Sequence, residues 1–390
     1  MYRIKTYNKI SVKGLDRFPR DQFEVGSDIS HTDAILLRSH RLNSGDISPN
    51  LLAIARAGAG VNNIPIDACT EAGVVVFNTP GANANAVKEM VVAGLLLGSR
   101  GLIGGLNYVG QLSAELEEGE FHQQVEAAKK SFAGQELLDK TLGVVGLGAI
   151  GAQVANIALA LGMDVIGYDP ALSVESAWRL SSQVQRAENL STLLNRSDFI
   201  TLHVPAIDDT VNMINDETLR QVKPGAKLLN FARDAIVNTS AVKDALAAGQ
   251  LSAYISDFPL PDLAGLEGVL LFPHLGASTA EAEDNCATMA ADQIMDFLKN
   301  GNIRNSVNFP PITLERASGF RITITNHNVP KVLSHILAVL ADQNINVIDM
   351  LNKSRGDIAY NILDIEDKPS DSVLEAIGSV DHVINIRLME

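Results

Sequence analysis

The stretch from Thr141 to Pro170 limits what this chain can fold into more than any other. It reads TLGVVGLGAIGAQVANIALALGMDVIGYDP. An apolar run, Leu142–Val145, leads into Gly146-x-Gly148-x-x-Gly151. A helical pattern follows from Ala152 to Leu161, and a second apolar run, Val165–Tyr168, ends at Asp169. Strand, glycine turn, helix, strand and acid therefore fall within one βαβ-sized unit. Gly146 permits the tight turn off the strand, Gly148 lets the backbone approach a pyrophosphate, and Gly151 lets the helix pack on the sheet. The helix start offers free N–H groups and a positive dipole end to phosphates. A carboxylate at Asp169 suits the two hydroxyls of an adenosine ribose and repels a 2′-phosphate, which favours NAD over NADP. The glycines alone would also fit an ordinary turn; the complete succession is what points to a dinucleotide.

The α/β alternation extends in both directions. Before this unit, strands are expected at Ala34–Leu37, Leu52–Ala55 and Val74–Phe77, and a helix at 82–99 with a buried face around Val87, Met90, Val91, Leu95 and Leu96. After it, strands are expected at Phe199–Val204, Ala226–Phe231, Ala253–Ser256 and Val269–Phe272, which makes a doubly wound sheet of roughly six strands. A long helix is expected over 280–298, then a Gly-, Asn- and Pro-rich linker over 300–311. From about Gly319 the order becomes βαββαβ, the ferredoxin-like arrangement, read as a small separate domain.

Ligands of open α/β sheets bind beyond the carboxyl ends of the strands. Arg38-Ser39, Arg56 with Gly58 and Gly60, and Asn78-Thr79 all follow strands, where two arginines and a glycine loop suit an anion. Solvated loop arginines and turn glycines are the plain alternative. Arg233 follows the strand ending at Phe231, and its planar fork can hold a carboxylate by two parallel hydrogen bonds. His274 follows another strand; an imidazole titrates near neutrality and can take a hydroxyl proton. Asp257 and Asp262 lie in a proline-rich turn, where a carboxylate could orient that ring. Each residue also has a bland reading, as a surface pair, a turn residue or the start of a loop. Jointly those readings weaken, because all three segments follow strands of one sheet.

Composition closes off other classes. The net charge of −15 argues against a general nucleic-acid binder, although local arginines can still hold an anionic small molecule. Cys69 and Cys286 have no metal-ligand spacing, so no metal is expected, and so few cysteines fit a reducing cytosol. The first residues, MYRIKTYNKI, lack a signal-type apolar region, and the apolar run at Met90–Leu97 is too short to cross a bilayer. A cytoplasmic protein that binds neither membrane nor nucleic acid is the expectation.

Residues 1 to about 310 resemble the D-2-hydroxyacid dehydrogenases. The resemblance rests on the glycine motif with Asp169, Asn230-x-x-Arg233, Asp257, Pro273-His274-x-Gly276, and the early Arg38-Ser39, Gly58-x-Gly60 and Asn78-Thr79-Pro80. The terminal βαββαβ unit resembles an ACT domain. The resemblance implies a doubly wound Rossmann-type NAD domain (99–282) inserted in a smaller flavodoxin-like substrate domain (1–98 and 283–312), with an ACT-like regulatory or assembly domain at 317–390. It implies NAD-dependent oxidation of a phosphorylated 2-hydroxy acid in a homodimer or homotetramer. Arg233 would bind the substrate carboxylate, His274 would be the general acid/base, and Asp262 would stand where the family has a glutamate partner for that histidine. Asp234 stands where the family usually has glycine. The cofactor would meet Ala149, Ile150, Asp169, Phe231, Asp257 and Ala277, with Thr79 near the nicotinamide. Arg38, Ser39, Arg56, Gly58 and Gly60 would contact substrate, and Lys129 matches a lysine near the phosphate in some relatives. Some ACT domains of this family sense serine through a loop ending N-x-P-G. Here Asn328 and Pro330 remain, Lys331 replaces the glycine, and Asn326 replaces a histidine, so a serine effector and a pure assembly role both stay open. A bulky residue at 331 is expected to resist the backbone that loop needs. Two other readings also stay open: a glyoxylate or hydroxypyruvate reductase, and an NAD-sensing protein that has lost catalysis.

Overall fold

The computed structural model describes residues 1–113 and 115–389. The chain forms two compact units, one made of Met1–Asn83 with the chain from Ala280 onward, the other of Ala84–Thr279.

In the first unit, β1 (Tyr2–Thr6), β2 (Phe23–Gly26), β3 (Ala34–Leu37), β4 (Ala53–Arg56) and β5 (Val75–Phe77) form a parallel sheet in the order β2-β1-β3-β4-β5. This is the flavodoxin-like order. β3, β4 and β5 are apolar and buried, and the sequence marks them. β1 and β2 are not marked, because their exposed charged residues dilute the apolar signal. The helix Ala280–Asn300 packs on this sheet through Ala287, Ala290, Ala291, Ile294, Phe297 and Leu298, spaced at helical period. Its alanines allow close approach: a Cβ on Gly14 would lie 2.6 Å from the Ala287 carbonyl carbon.

In the second unit, β6 (Thr141–Val145), β7 (Asp164–Tyr168), β8 (Gln185–Arg186), β9 (Phe199–Leu202), β10 (Ala226–Asn230), β11 (Leu251–Ser256) and β12 (Val269–Leu271) form a seven-stranded parallel sheet. Its order, β12-β11-β10-β9-β6-β7-β8, reverses direction at β6, the doubly wound arrangement. β8 adds one strand to the expected count; two exposed residues carry no periodicity to read. The helix Ala84–Ser99 buries Val87, Val91 and Leu95 in the core of this unit, beside Leu229, Phe231 and Ile255. This helix thus belongs to the second compact unit, whose ends fall at 83/84 and 279/280.

Residues 320–389 form β13 (Phe320–His327), β14 (Val347–Arg355), β15 (Ile358–Ile365) and β16 (Val383–Met389) with helices Val332–Asp342 and Asp371–Gly378. The antiparallel order β14-β15-β13-β16 is ferredoxin-like. This piece is less separate than the sequence suggested. Ile358, Tyr360 and Ile362 join the core of the first unit, and Arg387 lies 4.5 Å over the Phe297 ring. Carbonyls at the end of helix Ala280–Asn300 are capped from this sheet. Arg387 donates to Leu298 O, Arg321 to Asn300 O and Tyr360 to Gly301 O.

Candidate active site

Strand register builds the site in the second unit. Tyr168 pairs with Val145, Val145 with Leu202, Leu202 with Asn230, Asn230 with Ser256, and Ser256 with Leu271. The residues just beyond these positions (Asp169, Gly146, His203, Phe231, Asp257 and Phe272) therefore line one edge of the sheet. Parallel strands all present their carboxyl ends there.

The glycine turn has the shape a dinucleotide needs. Gly146 has φ +88°, and its absent Cβ would lie 2.6 Å from His203 O. A Cβ on Gly151 would lie 1.9 Å from Gly146 O, so only glycine lets the helix start here. A Cβ on Gly148 would meet nothing within 4 Å, leaving that side of the loop open for a phosphate. Helix Ala149–Ala160 begins without a side-chain cap, so the first-turn N–H groups around Ala149 and Ile150 have no side-chain competitor. Asp169 ends β7 with Oδ2 accepting the Leu147 N–H at 2.8 Å and Oδ1 accepting the Ala171 N–H at 2.9 Å. It borders a cavity of about 530 Å³ lined also by Leu147, Gly167, Pro170, Val184 and Ala187. Ser181, Gln185, Arg186 and Glu188 add polar groups to the apolar lining, so the slot offers both a hydrophobic wall and hydrogen-bonding partners beside Asp169, which suits an adenosine.

Arg233 and His274 stand on constrained loops. Asn230, fully buried, accepts the Ala232 N–H (3.1 Å) and donates to Arg233 O (2.8 Å), which closes the turn and leaves the Arg233 side chain exposed. His274 has φ +58° and is exposed, with its ring edge-on to Phe258 at 5.1 Å. Asp257, 2% exposed, sets that conformation: its two oxygens accept the N–H groups of Leu275 and Gly276, each at 2.7 Å. Phe231 is buried against Phe272, and Ala277 is half-buried just past the clamped loop.

In the first unit the strand ends are also tied down. Arg56 donates to Arg38 O (2.9 Å) and Gly60 O (2.6 Å), and Asn78 donates to Ala59 O (2.7 Å). The Thr79 N–H reaches Gly58 O, and its side chain is fully buried. Asn8 Oδ1 accepts the N–H groups of Ser39 and His40. The arginines, the glycine loop and Thr79 thus gather at the carboxyl ends of β3, β4 and β5.

A family profile, "D-isomer specific 2-hydroxyacid dehydrogenase, NAD binding domain", matches residues 102–276, and an ACT domain profile matches 320–382. D-3-phosphoglycerate dehydrogenase of Escherichia coli (strain K12) is 32% identical over 385 residues, covering 95% of this chain and 90% of that protein. The chain belongs to the D-2-hydroxyacid dehydrogenase family. A Haemophilus influenzae relative, also named D-3-phosphoglycerate dehydrogenase, is 31% identical over 356 residues, covering 88% of this chain and 82% of its own length. Among solved structures, NAD+-bound 3-phosphoglycerate dehydrogenase of Entamoeba histolytica matches with TM-score 0.60 and 25% identity, over 79% of this chain and 98% of that one. This dehydrogenase is an NAD-dependent oxidoreductase with a Rossmann-type domain and a terminal ACT domain.

Several of the sequence-named residues have partners within the protein. Asp262 lies on the short turn Pro261–Leu263, 77% exposed, with Oδ2 4.0 Å from Lys243 Nζ. Among the described residues no hydrogen bond joins it to His274. Asp257, expected at the cofactor, has both oxygens on the His274 loop. Lys129 is exposed just past helix Glu118–Ala128 and pairs with Glu126 in that helix's last turn. In the ACT domain, Asn326 donates to His327 O and accepts from Asn361, while Asn328 donates to Gly356 O. Lys331 does adopt the left-handed backbone, φ +78°, contrary to the expectation that a side chain would resist it. The fold around it overrides the local preference.

Sequence reading missed two residues. His203 follows β9 and supports the glycine turn; its Nε2 lies 2.9 Å from Thr201 Oγ1, and burial pushes its pKa down to about 3. Glu283, nine residues past His274, pairs with Arg38. A polar residue at a strand end was the available signal for the first; the second had none, since an acid in a helix's first turn is common.

Proposed function

We propose that this chain is a D-3-phosphoglycerate dehydrogenase, oxidising 3-phospho-D-glycerate to 3-phosphohydroxypyruvate as the first step of L-serine synthesis. The observation that carries the reading is the register-aligned edge bearing the glycine turn, Asp169, Arg233 and His274. The full-length match to relatives of that name supports the phosphorylated substrate. NAD, when bound, supplies the hydride acceptor. Arg233 holds the substrate carboxylate by its planar fork, fixing which face of C2 is presented. His274 takes the proton of the C2 hydroxyl as the C2–H bond gives up its hydrogen with both electrons, leaving a carbonyl. Asp257 acts on His274 through the backbone, by fixing the loop that aims the ring. Arg38 and Arg56 supply positive charge for the phosphate, beside Ser39, Gly58 and Gly60. Glycine turn, Ala149, Ile150 and Asp169 hold the cofactor's phosphates and ribose, and Thr79, Phe231 and Ala277 pack near it.

An NADH-formation assay over a small panel of 2-hydroxy acids, phosphorylated and not, tests this. Preference for 3-phosphoglycerate is expected; preference for glycolate or glycerate would make the chain a different 2-hydroxyacid dehydrogenase. The terminal domain we assign to assembly of a homodimer or homotetramer in the cytoplasm. The amides of Asn326 and Asn328 already serve their own loop, which favours assembly over serine sensing. Calorimetric titration with serine should then give no heat, and inhibition by serine would overturn that assignment.

A further inference from the structure

Arg38 is one of the two arginines assigned above to the substrate phosphate, and its guanidinium is already engaged. Nη1 lies 2.6 Å from Glu283 Oε1, with both side chains roughly two-fifths exposed (41% and 44%). Glu283 stands in the first turn of helix Ala280–Asn300. The neighbouring acid Asp284 is committed elsewhere, to Lys13 Nζ and Ser11 Oγ. The Arg38 backbone is fixed independently of this pair, because its carbonyl accepts from Arg56 and Asn63. Its guanidinium can therefore exchange partners without moving the strand end. Cys286, one turn beyond Glu283, reports the same neighbourhood. Burial raises its thiol pKa, Thr79, Arg38 and Arg56 oppose that rise, and Glu283 adds to it. The carboxylate thus lies within the field of Arg38 and Arg56, the charged cluster assigned above to the phosphate.

We propose that Glu283 is an internal counter-anion that competes with the substrate's phosphate for Arg38. It is a specificity-tuning residue: it weakens phosphate binding and speeds release of the phosphorylated product. This rests on the substrate role given to Arg38 in the proposed function. A phosphate displaces the carboxylate because it carries more charge and matches the guanidinium fork bidentately. An exposed ion pair is worth little, so the competition amounts to about two- to fivefold in affinity.

The test uses the full-length enzyme and the variants Glu283→Gln and Glu283→Asp. In Glu283→Gln, the KM for 3-phosphoglycerate should fall about two- to fivefold, and the dissociation constant for inorganic phosphate, read by calorimetry, should fall equally. Glu283→Asp keeps the charge and should stay nearer wild type. The KM for NAD should not follow, which separates this role from general loosening of the fold. An unchanged or raised phosphate dissociation constant in Glu283→Gln overturns the inference. If wild type prefers an unphosphorylated acid, the proposed function fails, and the phosphate titration still decides whether Glu283 guards Arg38.

Discussion

At the scale of single residues, the two side chains proposed to act on substrate have backbones held by others. His274 depends on the Asp257 clamp, and Arg233 depends on the turn closed by Asn230. His274→Ala should lower turnover by about two or more orders of magnitude, measured as NADH formation. Asp257→Asn loses one charge-assisted acceptor and should lower turnover while sparing NAD affinity; equal loss of both would place Asp257 at the cofactor instead. Asp262→Ala should change the rate little, since that carboxylate faces solvent beside Lys243. A large rate loss there would restore the family's acidic partner role to it. His203 gives a pH dependence. Its folded pKa of about 3 lies below the ordinary 6.5, so the stability from keeping it neutral is complete above pH 6.5 and is lost as pH falls toward 3. Denaturant midpoints should drop over that window and drop less in His203→Gln.

At the scale of elements, the βαβ unit and the ACT loop put opposite demands on the backbone. The glycine turn requires glycine: a Cβ at Gly151 would collide with Gly146 O at 1.9 Å. Gly151→Ala should therefore abolish NAD binding in a fluorescence titration, with a thermal midpoint below wild type. Lys331 bears a left-handed backbone without being glycine. Lys331→Gly should remove about 1 kcal/mol of strain, offset in part by the greater freedom of the unfolded chain, so the thermal midpoint should rise slightly. A fall would mean that the Lys331 side chain contributes contacts of its own. Loop chemistry thus tolerates a violation where the fold supports it, and does not tolerate one where two backbones meet.

At the scale of the whole molecule, Arg321 ties the terminal sheet to the end of helix Ala280–Asn300, and a buried ion pair across two strands of that sheet holds Arg321 in place. Arg321, fully buried, holds Asp364 through two bonds of 2.6 and 2.7 Å and reaches the carbonyls of Asn300, Leu314 and Glu315. Burial alone would raise the Asp364 pKa; the Arg321 hydrogen bonds, the Ala317 N–H and nearby positive charge outweigh it and bring the pKa below the usual carboxylate value. The stabilisation is therefore present above the unfolded carboxylate's pKa and lost as pH falls through the lower folded one. Arg321→Met leaves Asp364 buried and unpaired and should cost about 3–5 kcal/mol in denaturant unfolding. Adding Asp364→Leu should recover much of that loss; no recovery would mean that the carbonyl contacts, not the charge pair, hold the sheet.

Much of this molecule was legible in the residue string. The spacing from Gly146 to Asp169 determined the dinucleotide turn, because glycine is the one residue without a Cβ to collide there. The buried strands β3 to β6 were legible because burial on both faces makes continuous apolar runs. Arg233 and His274 were legible because a polar residue just past such a run lies at the sheet's carboxyl edge. Tertiary structure decided the rest, since it depends on which distant residues meet. It made Asp257 the clamp of the His274 loop, and left Asp262 in solvent. It joined the terminal sheet to the first unit through Arg321, and set Glu283 against Arg38. No local pattern encodes those four outcomes, because each depends on which loops and elements meet, or fail to meet, once the chain has folded. The glycine turn stands apart from them, since its collisions arise within a few residues and one adjacent strand.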